Sequence, residues 1–524
     1  MASTSHRKKT LTSLALAAVV AVLATAWIVS AGRRVPAAET LPAGAVADVS
    51  RPAASPAEWD ARIAMADTGD FTALFDEAAA LPDEDGREEL LARLVAGWLR
   101  ADAHGLMRHF MRLEVTGDRV RLDLLARALI KGLTDLDAGL AASDTIRELI
   151  RRLVLHLART DPETALAWAS RWLLGDARDA AFVEIARGLA RADLSGALEL
   201  AEGIGSPLRR MQALAVVGGI WARGDLGASV DWASRRVPPT ERALALNAAL
   251  LAGAGANPVE AAQSLAVAER TLAEEHRVTL RTALAALNLT EADLANDPDT
   301  YREKLAEGVV PPATSSDVEL LGEAARAIGL HWARLDAGAV LDWAQSLESD
   351  YLRVRAVKGG LTTLGLSDPA AALNRFFEGY GHHADILASI YESWTERDPS
   401  GAAGSSLELS DPTHRRTAVQ AVAAAWAPAS PVEAARWVDA LPATDRTDSL
   451  VLTAVEALAA DHPAESWRRA LQVADPGLRT RALRVAFSSY ATVAPEEARR
   501  ALSSTELPPA LAERLAEMLA NFEG

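Results

Sequence analysis

Cysteine is absent from all 524 residues. Its absence removes disulfides, thiolate metal sites and cysteine nucleophiles together, and leaves the redox state of the compartment unreadable. Lysine is nearly absent as well, with five residues, so arginine carries almost all of the positive charge. Aromatic residues make up only 5% of the chain. Positive charge is the minority sign, and the net charge is −17. An acidic surface repels a phosphate backbone, which excludes nucleic acid as a bulk partner. Also missing are a Gly-x-Ser-x-Gly elbow, a His-Glu-x-x-His zinc motif and a phosphate loop ending in Gly-Lys-Ser/Thr. Gly253-Ala254-Gly255 lacks the preceding strand that a dinucleotide motif needs. No catalytic residue, cofactor or resident metal is expected, and the chain is not read as an enzyme.

What is present is a beat of 32 residues. Asp70, Asp102, Asp161, Asp193, Asp225, Asn257, Asp336, Asp368, Asp398, Ser430, Asp461 and Ala494 stand at equivalent points of one unit. The step is 32 from 70 to 102, three times between 161 and 257, from 336 to 368 and from 398 to 430. A fixed period in this range means stacked supersecondary units, each packed on its neighbours, with no single central core.

One unit, Pro207 to Pro238, gives the pattern. Arg210, Leu214, Val217 and Trp221 recur at spacings of four and three, which is one face of a helix. Gly224-Asp225 breaks that helix, and Asp225 is placed to cap a second one by accepting a backbone N–H. Proline follows the anchor at Pro162, Pro258, Pro369, Pro399, Pro431 and Pro495. The first helical position needs no N–H, so proline suits it. Two breaks interrupt the rhythm. Gaps of 59 (Asp102 to Asp161) and 79 (Asn257 to Asp336) predict irregular units near 103–160 and 258–335. Asp297-Pro298 is a candidate anchor within the second gap.

Two side-chain series ride on the beat. Tryptophan stands four residues before the anchor at Trp98, Trp221, Trp332, Trp394 and Trp426, and seven after it at Trp168, Trp232, Trp343 and Trp437. These are read as packing anchors, because a large aromatic buries roughly 150–250 Å². Arginine stands fifteen residues before the anchor at Arg87, Arg178, Arg210, Arg242, Arg353, Arg415, Arg446 and Arg479, with His383 in that place once. The first turn of a helix disfavours a cation, so each arginine is expected to find a carboxylate or a carbonyl of the preceding hairpin.

Ala213 to Pro238 resembles the tetratricopeptide-like family of helical hairpins. It has an aromatic near the end of the first helix, then Gly224-Asp225-Leu226, then an aromatic in the second helix and an exit proline. The period of 32 is shorter than that family's, and its first-helix glycine is mostly missing. The resemblance covers residues 57–524 and implies an all-α superhelix, a solenoid of about 32-residue hairpins with a concave face for a protein or peptide. A second string, Glu392-Ser393 with Gly401-Ala402-Ala403-Gly404, is similar to the catalytic motif of lytic transglycosylases. Its spacing is short and the family's Met-Gln is absent, while Trp394, Asp398 and Pro399 already satisfy the repeat. His382, His383 and Asp385 are close in sequence, but neighbouring residues on a helix diverge by about 100°. A shared metal would need a loop there. His104 and His109, five apart, do not share a helical face.

The N-terminus addresses location. Arg7, Lys8 and Lys9 form a basic tail (1–9) ahead of an uncharged run, Thr10 to Ala31. Twenty-two helical residues span roughly 33 Å, enough for a bilayer core. The run is therefore expected to be one transmembrane signal-anchor (10–31), followed by an Ala/Pro-rich linker (32–56) and the solenoid (57–524). Val29-Ser30-Ala31 keeps open a cleaved signal and secretion, although Arg33 and Arg34 disfavour cleavage. The expectation is a single-pass protein of the bacterial inner membrane with its body in the periplasm. There it would be a scaffold for a protein or peptide. A cell-wall lytic enzyme or its helical accessory, and a structural envelope spacer, are the alternatives.

Overall fold

In the computed structural model of the chain, the described residues are 55–82, 84–133, 143–235, 239–286 and 319–523. They form 25 helices and no strand. The chain divides into two compact units after Ala66. The first contributes helix Pro56–Met65, which opens on a capping box. The Ser55 hydroxyl accepts the Glu58 N–H at 3.4 Å, and the Glu58 carboxylate accepts the Ser55 N–H at 2.6 Å. Two otherwise orphaned donors are satisfied reciprocally in this way.

The expected fold class needs a correction. Among the described residues no helix is long and apolar enough to cross a membrane. The two longest, Glu84–Thr116 and Pro258–Ala286, carry charged residues throughout. The 10–31 segment that prompted the expectation lies outside the described residues. The described residues support an all-α fold built of packed helices, and no membrane-spanning helix is among them.

The second unit is a succession of helix pairs, each a lead helix followed by a return helix. The anchor residue joins them, directly at Asp161, Asp368 and Asp398 and after a three-residue turn at Asp193, Asp225 and Asp336. Asp225 donates its N–H to the Trp221 carbonyl at 3.0 Å, closing the lead helix, and its own carbonyl accepts the Ser229 N–H at 3.2 Å, opening the return helix. Its carboxylate caps the Ala228 N–H at 2.9 Å. The same double role recurs at Asp161, Asp193, Asn257, Asp336, Asp368 and Asp398. It needs one extended residue between two helices: Asp161 has φ −150° and ψ 77°, Asp368 −142° and 82°. Ser430 and Ala494 hold that conformation with no side-chain cap, each followed by proline at the first helical position. Asp102 adopts the same conformation, φ −152° and ψ 80°, and kinks Glu84–Thr116 into a lead and a return helix.

Lead helices pack on lead helices. Gly175–Leu189, Pro207–Trp221 and Pro239–Ala256 form one run. Gly322–Trp332, Asp350–Ser367, Ala384–Arg397 and Pro412–Ala429 form another. Each return helix lies against its own lead and the next one, as Leu226–Ser234 does between Pro207–Trp221 and Pro239–Ala256. Alanine and glycine at lead crossings permit close approach. A Cβ on Gly329 would collide with the Ala356 carbonyl, and one on Gly359 with the Arg326 carbonyl. The two glycines hold one crossing from both sides. Buried Leu, Val, Ile and Ala from successive units form a continuous apolar core from Ala222 to Ala434.

The 79-residue gap does not interrupt this layering. Lead helix Pro239–Ala256 packs directly on lead helix Gly322–Trp332. The return helix between them, Pro258–Ala286, is lengthened to 29 residues and touches both. The candidate anchor Asp297-Pro298 lies outside the described residues. In the 59-residue gap, helix Arg119–Gly132 packs on Glu84–Thr116 as an additional lead helix.

Candidate functional site

The tryptophans of each hairpin meet one another. Trp221 and Trp232 have ring centroids 5.9 Å apart, Trp332 and Trp343 5.7 Å, and Trp426 and Trp437 5.9 Å. The geometry follows from the hinge. One ring stands four residues before the hinge, at or near the end of the lead helix, and the other stands two turns into the return helix. Trp98 is fully buried and stacks on Phe71 at 5.6 Å. Trp394 stacks on Tyr391 at 5.7 Å, and Trp168 lies 6.3 Å from Trp172. Most of these indoles are half-buried at the seam of their hairpin, with Trp98 and Trp426 covered. Among the described residues every tryptophan–tryptophan ring contact stays within one hairpin.

The arginine series acts at the joint between units. Arg87, Arg210, Arg353 and Arg479 donate to the carbonyl six residues earlier: Leu81 at 3.0 Å, Ile204 at 3.1 Å, Leu347 at 2.8 Å and Val473 at 2.5 Å. Those carbonyls lie just beyond the preceding return helix, at its negative end, where a cation is favourable. Arg210 also donates to the buried Glu241 carboxylate of the next lead helix at 2.9 Å. Arg415 pairs with Asp445 at 3.4 Å, and Arg446 donates to Gln472 at 2.7 Å. Arg178 lies 3.6 Å from Asp179 and over the Phe182 ring, and Arg242 is also partnered. The residue supplying the carbonyl has its own signal. An aliphatic stands 11 or 12 residues after the anchor at Leu81, Leu173, Ile204, Leu347, Leu409, Leu441 and Val473. Sequence reasoning missed it because only polar and aromatic positions were aligned.

Acidic side chains make a second kind of joint, equally unforeseen. Glu269, on the lengthened return helix, accepts the Ser349 N–H at 2.6 Å and the Glu348 N–H at 3.3 Å. It thereby caps lead helix Asp350–Ser367 from some eighty residues away. Burial raises its carboxyl pKa, against the two backbone donors that pull it down. Asp179 accepts the Ser206 N–H at 2.9 Å, and Asp448 accepts the Asp475 N–H at 2.6 Å, each capping the next lead helix.

The solvent side of the lead layer is clamped by ion pairs through much of its length. Examples are Glu88 with Arg127 (3.1 Å), Asp176 with Arg209 (2.9 Å) and Lys358 with Asp385 (3.1 Å). Glu323 with Arg355 and Glu456 with Arg481 continue the series. No such pair links lead helices Ala384–Arg397, Pro412–Ala429 and Asp448–Leu458 on that side among the described residues. Glu392, Glu396, Arg416 and Gln420 are exposed there. Surrounding protein raises the Glu392 carboxyl pKa chiefly by desolvation, Lys358 opposes the rise and Glu396 adds to it.

The other candidates fall within the repeat. Asp398 caps the Gly401 N–H at 2.9 Å, so the glycine-rich stretch after Glu392 is the start of a return helix. The His382 and His383 rings lie 4.0 Å apart, and His414 of the next lead helix bonds the Gly381 carbonyl at 2.7 Å. Among the described residues no group of three His, Cys, Asp or Glu side chains is placed to hold a metal. A cleft of about 230 Å³ lies between two hinges, lined by Ala222, Asp225, Gly253, Asn257 and Glu260 among others. Comparison with protein-family models, curated proteins and solved structures returns no match.

Proposed function

We propose that the chain is a non-enzymatic helical-repeat scaffold that binds a protein or peptide partner on the solvent face of its lead helices, outside the cytoplasm. The reading rests on one observation: no ion pair joins lead helices Ala384–Arg397, Pro412–Ala429 and Asp448–Leu458 to one another among the described residues, and only Asp385 and Glu456, at the borders of the stretch, pair with the flanking lead helices. Glu392, Glu396, Arg416 and Gln420 are left to meet another chain. Where ion pairs do join neighbouring lead helices, the same face is clamped to itself, which fits a structural role there. The tetratricopeptide-like resemblance agrees with this use, since hairpin arrays present such faces as extended binding surfaces. The basic tail and apolar run at the N-terminus support delivery of the body across the bacterial inner membrane.

The test is crosslinking in intact cells followed by mass spectrometry, with the wild type beside Glu392→Lys/Arg416→Glu and beside the return-helix variant Glu433→Lys. A partner captured by the wild type and by Glu433→Lys, but lost from the lead-face variant, is the expected result. Equal capture by all three would remove the assignment, and repeated capture of nothing would leave a structural spacer. The raised pKa of Glu392 is the one observation that favours a cell-wall lytic activity. Muralytic activity abolished by Glu392→Gln would establish that reading in place of the scaffold.

A further inference from the structure

His109 stands seven residues after the anchor Asp102, the place that Trp232, Trp343 and Trp437 occupy in their units. It makes the same contact. Its ring lies 5.3 Å from Trp98, the residue four before that anchor. The array thus uses an imidazole where other hairpins use an indole. The substitution carries two liabilities. His109 is 4% exposed, and neither ring nitrogen has a hydrogen-bond partner. Phe75 of helix Asp70–Ala79 closes the other side, edge-on at 5.3 Å. Buried polar atoms normally find partners, so this site is tuned for a neutral ring.

We propose that His109 is a proton-operated latch: acidification frees helix Asp70–Ala79 from the hairpin of Glu84–Thr116 while the remainder of the array stays folded. The chemistry is that of a cation with no acceptor inside an aromatic box. Helix Asp70–Ala79 presents Asp76, whose carboxylate favours a charged ring and whose Oδ1 is buried without a hydrogen-bond partner. Asp76 is already 3.5 Å from Arg121 of helix Arg119–Gly132. Arg112, on the histidine's own helix, and Arg121 both oppose a positive imidazole. The lead half of Glu84–Thr116 supplies Trp98, which carries no charge, and at the hinge Asp102 pairs with Arg108 at 3.8 Å.

Burial, the largest influence, holds the imidazole pKa below its ordinary value, Asp76 pulls it up, and the two arginines push it down. The opened state therefore takes up the proton first. Packing is fully stable above the ordinary histidine value of about 6.5 and weakens as pH falls below it. One proton of difference gives about a tenfold change in the opening equilibrium per pH unit, until the folded pKa is passed.

Hydrogen exchange of the full chain, read by mass spectrometry and corrected for intrinsic rates, tests the latch. Protection of residues 70–79 should fall about fivefold between pH 6.5 and 5.5, with residues 350–430 unchanged. In His109→Phe, which supplies the aromatic ring the repeat prefers, protection should be independent of pH. His109→Leu serves the same purpose if the larger ring overpacks the site. Two other histidines lie nearby. His156 bonds Asp123 at 2.8 Å and His104 bonds Thr145 at 3.0 Å. His156→Gln and His104→Gln should keep the transition. Constant protection in the wild type, or a transition that survives His109→Phe and His109→Leu, overturns the proposal.

Discussion

Arg210 offers the sharpest quantitative check on the joints. It donates to the Ile204 carbonyl at 3.1 Å and to Glu241 at 2.9 Å, and Glu241 is only 5% exposed. Arg210→Met keeps the aliphatic stem but leaves a buried carboxylate and a carbonyl without their donor. Hydrogen bonds to charged groups contribute about 1.5–3 kcal/mol. Breaking a fully buried ion pair costs about 3–5 kcal/mol. The Arg210 side chain is 28% exposed, so water can reach one side of the vacated site. The lower part of the range applies, about 2–3 kcal/mol. Arg178 holds the same repeat position but its ion pair is a 3.6 Å contact with its neighbour Asp179, at 41% exposure, with the Phe182 ring beneath it. Arg178→Met should cost less than about 1 kcal/mol. Urea unfolding by circular dichroism measures the difference. Hydrogen exchange at residues 207–256 localises it, because repeat arrays need not unfold in one step. A double-mutant cycle with Glu241→Gln should show coupling of about 1–2 kcal/mol. Equal losses for the two arginines, or no coupling to Glu241, would refute a carbonyl-and-carboxylate clasp and leave the series a mere preference for arginine.

Other outcomes follow from the same geometry. Gly329→Val should push lead helices Gly322–Trp332 and Asp350–Ser367 apart and lower the urea midpoint by an overpacking cost of about 1–3 kcal/mol or more, since the obstacle is the Ala356 backbone. Asp225→Ala should destabilise its return helix by about 1 kcal/mol, whereas Ser430→Asp, which adds the missing cap, should stabilise by about 0.5–1 kcal/mol; thermal melts of both distinguish capping from a general charge effect. Glu269→Ala strands the N–H groups of Ser349 and Glu348, and about 2 kcal/mol of loss should appear as faster exchange at the start of helix Asp350–Ser367.

The hinge was readable because it is local. An extended residue that ends one helix and starts the next wants aspartate for the cap and proline after it, and both leave a mark every 32 residues. Asp225 and Pro369 declare their roles without reference to any distant atom. His109 was equally in phase, at the tryptophan position. Counting its distance from His104 instead of from Asp102 hid that. The carbonyl partners of the arginines were invisible as such, since a backbone oxygen leaves no letter in a sequence. Only the buried aliphatic beside it, such as Ile204 or Val473, marks the place.

The chain's own letters determined that it is helical, where each hairpin bends and which side chains face its seam, because helix periodicity and capping act over a few residues. Tertiary structure alone decided that lead helix Pro239–Ala256 meets Gly322–Trp332 across the long gap, that Glu269 caps a helix some eighty residues away, and which neighbouring lead helices are joined by ion pairs. Those outcomes depend on contacts between units, where the partner is chosen by the geometry of stacking and sequence distance carries no information.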